Sequence, residues 1–585
     1  MDAASTVALL LHSGTPSRDD SNLTAILDLF GIPWRALTAS DARHGAVTSL
    51  TAGHSNFSIL TSAPCLAEAL QLCQAEELPA WLRDATSVYV YGFQGVDSCR
   101  ALLRQITGDP EAKIRAVGTV PITVSFTGDF PDMCGPMSTL RFTLEPGAAD
   151  AAFAMHHGSD LKSIVAAPEG QLFVESVYSG VRFFADSSLA MVDIRERAPT
   201  HFDVKKRFTG AVPVVLYLKW SFRDICWASP ETAACLIIDD PLLKPRYGHL
   251  DFGDLLQLSD KRMFTTTIAF IPWNWQRTNP DTVATIQQNN ERLSICVHGC
   301  DHTRGEFAVH SADLLDQKLK TARHRMQSLS KETGLDYDNV MVFPQGAFST
   351  EAVSALKQNG FVAAVNTNVT PTDGTANETT LADLWSVAIM RYGTFPIFTR
   401  RYIDHGIENF AFDAILGKPC FIVGHHELFR DEASKFTEFL RQLTKLQLQL
   451  SWRTLGQAIC RSYGVRRENE TISVKMFAEQ LCMENSGTMT QRVRFLKQEP
   501  QIALLKVITV NQDIVAYDYR DGYVRWVIDI PAGGTAKVRC EYHEQTDVLP
   551  SPGSFRYRLA VAVRRYLSEL RDNYGYWALW GRGKI

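Results

Sequence analysis

The chain has 585 residues, of which 45% are hydrophobic and 21% charged, and its net charge is -5. Domains commonly hold about 100–200 residues, so about three to five are expected, with ample apolar material for a core in each. A charge this close to balance lacks the basic excess of a nucleic-acid footprint, and no nucleic-acid partner is expected.

The opening MDAASTVALLLHSG has no basic stretch and only a short apolar run before His12, unlike a secretory signal. No segment reaches the roughly 18–20 apolar residues of a spanning helix. Together these predict a cytoplasmic protein. The twelve cysteines contain no CxxC pair, and several, such as Cys235 and Cys420, sit inside apolar runs. Free buried thiols in a reducing compartment are expected.

Residues 1–110 alternate strand-like and helix-like patterns. VALLLH, FSILTS and SVYVYGF read as strands; SNLTAILDLFGI, CLAEALQLC and SCRALLRQI read as helices. This predicts a Rossmann-like βαβ domain with a parallel sheet. Gly92 and Gly95 follow a strand but do not make a phosphate-binding loop. A structural or recognition role is therefore expected. Residues 111–225 are richer in β-branched alternation and turns, as in VGTVPITVSFTG and GQLFVESVYSGVRFF, and predict a β-rich domain.

From Ala233 a regular strand–helix rhythm sets in. ACLIID, TTTIAFI, LSICVHG, NVMVFPQ, FVAAVNT and PCFIVGH read as strands. Asn279-Pro280 reads as an N-cap followed by Pro at the first helical position, Ser311 and Ser349 as further caps, and Gly360 as a helix stop. Repeated βα units predict parallel strands joined by right-handed crossovers, closed or nearly closed into a barrel over 226–465. Residues 466–548 return to alternation and predict a β-sandwich. The tail, 549–585, carries apolar residues at helical spacing with Arg556, Arg558, Arg564, Arg565 and Arg571 over much of the remainder. Such a basic amphipathic helix can pack on its own domain, dock on a biosynthetic partner, or hold the protein at a membrane surface.

Chemistry concentrates at the ends of the barrel strands, which in parallel βα folds share one rim. LIIDDP delivers Asp239 and Asp240 side by side, an arrangement needing a cation or a proton unless it is a solvated loop start. VHGCDH places His298 and His302 at H-x3-H spacing, suited to gripping one divalent ion; paired surface histidines are the plain alternative. Cys300 between them projects away from their shared face on a helical turn. VFPQGAFS ends at Gln345 and Gly346, where backbone N–H groups can face an oxyanion. FIVGHHE delivers His425 and His426, either of which can act as acid or base, or be structural.

In this order the motifs resemble those of the polysaccharide-deacetylase family, the NodB-type carbohydrate esterases acting on N-acetylated sugars. The resemblance spans about 230 residues and marks a divergent member. It implies an α/β fold with a distorted (β/α) barrel and a divalent ion, with zinc expected and cobalt or nickel as alternatives. Asp240, His298 and His302 would hold the ion and Asp239 would be the general base. A backbone N–H near Gln345 would stabilise the oxyanion, and His425, preferred over His426, would protonate the departing amine. The implied activity is metal-dependent N-deacetylation of a polysaccharide or glycan precursor. Tyr247, Trp273, Trp275, Gln345 and Gly346 are candidate substrate contacts, and His249 and Asp251 lie in the same loop region as Tyr247.

The chain departs from the family in three places. Val342 stands where the family has the arginine that steadies the catalytic Asp, and Pro241 stands where it has glycine. The motif that orients the acid histidine is absent; Arg391, Glu427 and Asp404 are candidate substitutes. A non-catalytic glycan-binding or scaffold protein is the main alternative. A glycoside hydrolase ranks lower, because it needs carboxylates about 5–10 Å apart across the bond, and Asp239 and Asp240 are adjacent.

Overall fold

A computed structural model describes residues 6–580 except 53, 55, 74–77, 156–160, 375–377, 469 and 544–553. Its first unit is built on a sheet centred on Thr6–His12, which pairs in parallel with Trp34–Thr38 and Asn56–Ser62. Ser87–Tyr91 continues the parallel set, and Val181–Asp186 pairs in parallel beyond it. The antiparallel strands Gly170–Tyr178, Lys162–Ala167, Ile122–Phe126 and Arg141–Leu144 extend the same sheet. A division at 110/111 therefore cuts one continuous sheet. The joint is the pairing of Val181–Asp186 with Ser87–Tyr91, strands far apart in sequence and invisible to local periodicity.

The 111–225 region also contains the helix Val212–Ser221. Its sequence VPVVLYLKWS is apolar almost all round, the mark of a helix buried on every side. Tyr217 stacks on Tyr89 at 4.8 Å, and its hydroxyl lies 2.7 Å from that of Ser87. Nearby, Phe202 meets Trp385 and Phe412 of the following unit edge-on and tilted. One apolar core thus runs from Leu10 and Tyr89 through Val215 to Ile238 and Phe412.

The second unit is a nearly closed parallel barrel. The order around it is Ile397–Thr399, Ala363–Asn366, Asp338–Val342, Leu293–His298, Thr266–Phe270, Thr232–Asp239, Cys420–Gly424 and Arg401–Tyr402. The two edge strands are consecutive in the chain, separated only by Arg400. Leu450–Trp452 pairs with the start of Thr232–Asp239. Ile237 and Ile238 are fully buried, each worth roughly 1.5–3 kcal/mol of transfer free energy. The connecting helices are capped by their own sequence. Asn279 accepts from Thr282 N at 3.0 Å ahead of Pro280, Ser349 accepts from Ala352 N at 3.1 Å, and Ser311 caps Ala312–Thr333.

Residues from Gly464 form two facing sheets around Val474, Phe495, Ile508, Trp526 and Val538. They join the barrel through a buried Lys357–Glu499 pair at 2.5 Å. The 548/549 division falls outside the described residues. The last element is the helix Phe555–Trp580. Among the described residues no helix is long and apolar enough to cross a membrane. The cysteines other than Cys73 are free, and of these all but Cys460 and Cys482 are buried.

Candidate metal centre

The strand Thr232–Asp239 ends in a buried carboxylate. Asp239 receives both terminal nitrogens of Arg400, at 2.7 and 2.6 Å. Burial alone would push the Asp239 carboxyl up. Arg400 first, then His298, outweigh it and hold the group below the ordinary carboxylate range. Val342 offers no cation; the guanidinium beside Asp239 comes from the barrel seam, where Arg400 sits between the two edge strands. The IFTRRY segment carries the signal, because a charge inside an apolar strand needs a partner.

Asp240 follows with φ 83°, and His302 and Gln345 also have positive φ, at 55° and 58°. Such backbone strain, about 1–3 kcal/mol per residue, clusters at functional sites. His298 closes its strand, and its Nδ1 donates to the Val342 carbonyl at 2.9 Å. A carbonyl only accepts, so Nε2 is left with its lone pair, the tautomer a metal ligand requires. That Nε2 lies 3.5 Å from Asp240 Oδ1, and His302 Nε2 lies 3.1 Å from the same oxygen. Asp240 Oδ1 is nevertheless buried without a directed hydrogen bond. The ligand atoms of Asp240, His298 and His302 all fall within 4.8 Å of one another. Three donors converging on one point, with an orphaned carboxylate oxygen among them, fit a divalent ion. Burial opposes the charged form of His298, but Asp239 and Asp240 overcome it and raise its pKa, so the spot favours positive charge.

The histidine loop is held from beneath by Glu306, which the sequence reading missed. Its buried carboxylate accepts the N–H groups of Cys300, Asp301 and His302 at 3.1, 2.9 and 3.0 Å. A Cβ at Gly299 would fall 2.3 Å from Pro344 and 2.7 Å from Glu306, so that turn needs glycine. The Cys300 thiol lies 3.3 Å from Arg325, and burial pushes its pKa well up. Asp301 is bound by Arg325 and Glu306 by Lys318. This second carboxylate group is already neutralised by cations and serves to position His302.

The two late histidines separate by environment. His425 is half-buried and lines a groove of about 430 Å³ with Tyr402, Asp404, Glu427 and Arg430. Its ring stacks on Tyr402 at 6.4 Å. His426 is buried, and its Nδ1 lies 3.4 Å from His249 N. Burial lowers its pKa. Of the candidate orienters, Arg391 faces Asp383 at 3.6 Å and Glu427 faces His426 at 3.4 Å, while Asp404 shares the groove.

The C-terminal helix crosses the same rim and accounts for several of the candidate substrate contacts. Tyr247 is buried, and its hydroxyl donates to Asp572 at 2.6 Å. Trp273 meets Tyr566 edge-on at 6.2 Å, and Trp275 packs against the core. Asp251 caps the helix Phe252–Arg262. Gln345 is exposed, with its side-chain oxygen 3.3 Å from Gly305 N. The Gly346 N–H is committed to the Phe343 carbonyl at 3.1 Å. The structure therefore gathers Asp239, Asp240, His298, His302 and His425 at one rim, and engages Tyr247, Trp275 and Asp251 within the fold. Arg565 comes from the C-terminal helix and is only 3% exposed. Burial pulls its pKa down, opposed first by the Asp240 carboxylate and then by Tyr247.

No family model and no curated protein matches the chain. Among solved structures, similarity extends to the Xyl-CE4 domain of a multidomain xylanase from the hindgut metagenome of Trinervitermes trinervoides. It is 14% identical, covers 39% of this chain and 90% of that one, and has a TM-score of 0.24. A family 4 carbohydrate esterase from Streptomyces lividans in complex with acetate is 14% identical, covering 38% and 90%, with a TM-score of 0.23. A family 4 acetyl xylan esterase from Clostridium thermocellum in complex with cobalt is 15% identical, covering 39% and 90%, with a TM-score of 0.24.

Proposed function

We propose that the barrel is a metal-dependent N-deacetylase acting on N-acetylated sugars of a polysaccharide or glycan precursor. The observation that carries this reading is the convergence of Asp240, His298 and His302 beside the Asp239–Arg400 pair. A divalent ion in that set, zinc, cobalt or nickel, would supply Lewis acidity and bring water toward ionisation near neutral pH.

The chain's own residues supply the rest. Arg400 keeps Asp239 ionised and fixes both its oxygens, so the carboxylate is ready to accept a proton from the attacking water. The Gln345 N–H, at a strained turn on the same rim, is the candidate donor to the developing oxyanion. His425, half-buried beside an open groove, would donate the proton that lets the sugar nitrogen leave. Its neighbour His426 is packed under the His249 loop and is poorly placed to exchange protons with a substrate.

A second reading, a glycan-binding or scaffold protein that kept the fold, draws on one observation: the C-terminal helix lies over the rim and buries Arg565 near Asp240. Acetate release separates the two. The full chain, loaded with each of the three metals, should liberate acetate from N-acetylhexosamine oligomers without new reducing ends. A folded, metal-loaded sample that releases none would sink the enzymatic reading. New reducing ends without acetate would favour glycosidic cleavage instead.

A further inference from the structure

Soluble helices normally turn their apolar stripe inward. The C-terminal helix does the reverse. Apart from the buried Val561 and the Tyr566–Trp273 contact, its inward contacts are polar: Glu569 reaches Lys244 and Arg277, Asp572 accepts from Tyr247, and Asn573 accepts from Gly248 N. Its outward face carries Leu559, Val563, Leu567 and Leu570, which are 54%, 49%, 60% and 54% exposed. A contiguous apolar patch of this kind marks an interaction surface rather than scattered surface residues.

The charges select the occupant. Arg556, Arg564 and Arg571 share the outward face with the leucines. Both acidic residues of Phe555–Tyr574 in the sequence, Glu569 and Asp572, make inward contacts, and Asp572 also pairs with Arg571 at 2.7 Å, which leaves Arg556 and Arg564 as the outward charges without an acidic partner on the helix. A second copy related by a two-fold axis would bring these arginines against themselves, an arrangement that repels. Anionic headgroups over an apolar layer complement both features. We propose that this face docks the protein onto an anionic phospholipid surface, with its leucines at the headgroup–acyl boundary and its arginines against lipid phosphates. Because the helix crosses the barrel rim, docking would set the candidate centre beside the bilayer. The inference does not depend on the deacetylase reading.

Co-sedimentation of the full chain with two vesicle types tests it. Vesicles of phosphatidylcholine with phosphatidylglycerol should bind the protein, and phosphatidylcholine alone should bind it far less. Two variants probe the face: Leu559→Ser/Leu567→Ser/Leu570→Ser and Arg556→Gln/Arg564→Gln/Arg571→Gln. Each should weaken partitioning by roughly tenfold or more while leaving the melting temperature unchanged, since the leucines are exposed. Failure of the wild type to bind anionic vesicles would overturn the proposal, as would equal binding to both vesicle types. A concentration-dependent dimer abolished by the leucine variant would assign the face to a second copy and overturn it as well.

Discussion

The mixed first sheet and the parallel barrel each end a strand in a buried aspartate, and the two aspartates behave oppositely. Asp186 closes Val181–Asp186 in the first sheet and is fully buried. It accepts from the Tyr89 hydroxyl at 3.0 Å and from Ser188 N at 3.1 Å, and burial pushes its carboxyl up to about 6. Asp239 closes Thr232–Asp239 in the barrel and is almost as buried, but Arg400 holds its carboxyl below the ordinary range. Neutral donors satisfy a carboxyl without fixing its charge; a guanidinium fixes it. Strand-end burial alone therefore does not make a reactive carboxylate. The barrel adds the cation on one side and the histidines on the other.

Removing the histidines should erase the distinction most completely. His298→Ala should lose the bound ion by elemental analysis, with activity falling on the order of 10²–10⁴-fold, while the fold persists at a lower melting temperature because both the ion and the bond to the Val342 carbonyl are gone. Retention of the ion would remove His298 from the ligand set.

Arg400→Met should make Asp239 resemble Asp186 and go further, because no donor replaces the guanidinium. Leaving a buried charge unpaired costs about 3–5 kcal/mol, measurable by denaturant unfolding. The sign with pH should also invert. In the wild type the folded carboxyl is depressed, so its contribution is present above the unfolded value of 3.8 and is lost as pH falls through the folded value. In the variant the weaker pull of His298 is left to oppose burial, the carboxyl should move up, and stability should fall as pH rises through it. Asp239→Asn on top of Arg400→Met should recover part of the loss.

Asp186→Asn tests the other half of the comparison. The folded value is raised from 3.8 to about 6, so the favourable contribution is full below 3.8 and disappears as pH rises through about 6. The amide oxygen can keep the bond from Ser188 N while its NH2 donates to the Tyr89 hydroxyl, which turns to accept, and loss of the buried charge should stabilise the protein by about 1–3 kcal/mol near neutral pH. An unchanged or lower melting temperature at neutral pH would contradict this. The smallest effect is expected at Arg565→Gln. Removing a cation near Asp240 should tighten divalent-ion binding by roughly threefold to tenfold, read by titration calorimetry; weaker binding would show that Arg565 supports the site.

Much of the centre was legible because it lies on strand ends. Asp239, Asp240, His298, His302 and His425 each terminate or follow an apolar run, and parallel topology brings such ends to one rim. Arg400 escaped because its partner lies 161 residues away and depends on how the barrel seam closes. Glu306 acts through backbone N–H groups, which leave no trace in residue type. The sheet that spans 110/111 was not legible for the same reason as Arg400, since a pairing between distant strands sets it. The tail helix was readable as a helix, but not the inversion that buries Arg565 and exposes its leucines. That orientation depends on Lys244, Arg277 and Tyr247 waiting on the barrel.

Metal content measured alongside acetate release, for the wild type and Asp239→Asn, tests the central claim most directly. If Asp239 is the base and Asp240, His298 and His302 hold the ion, Asp239→Asn should keep about one ion per chain while acetate release falls on the order of 10²–10⁴-fold. Acetate release undiminished in Asp239→Asn, or a wild type that binds no divalent ion, would contradict the account.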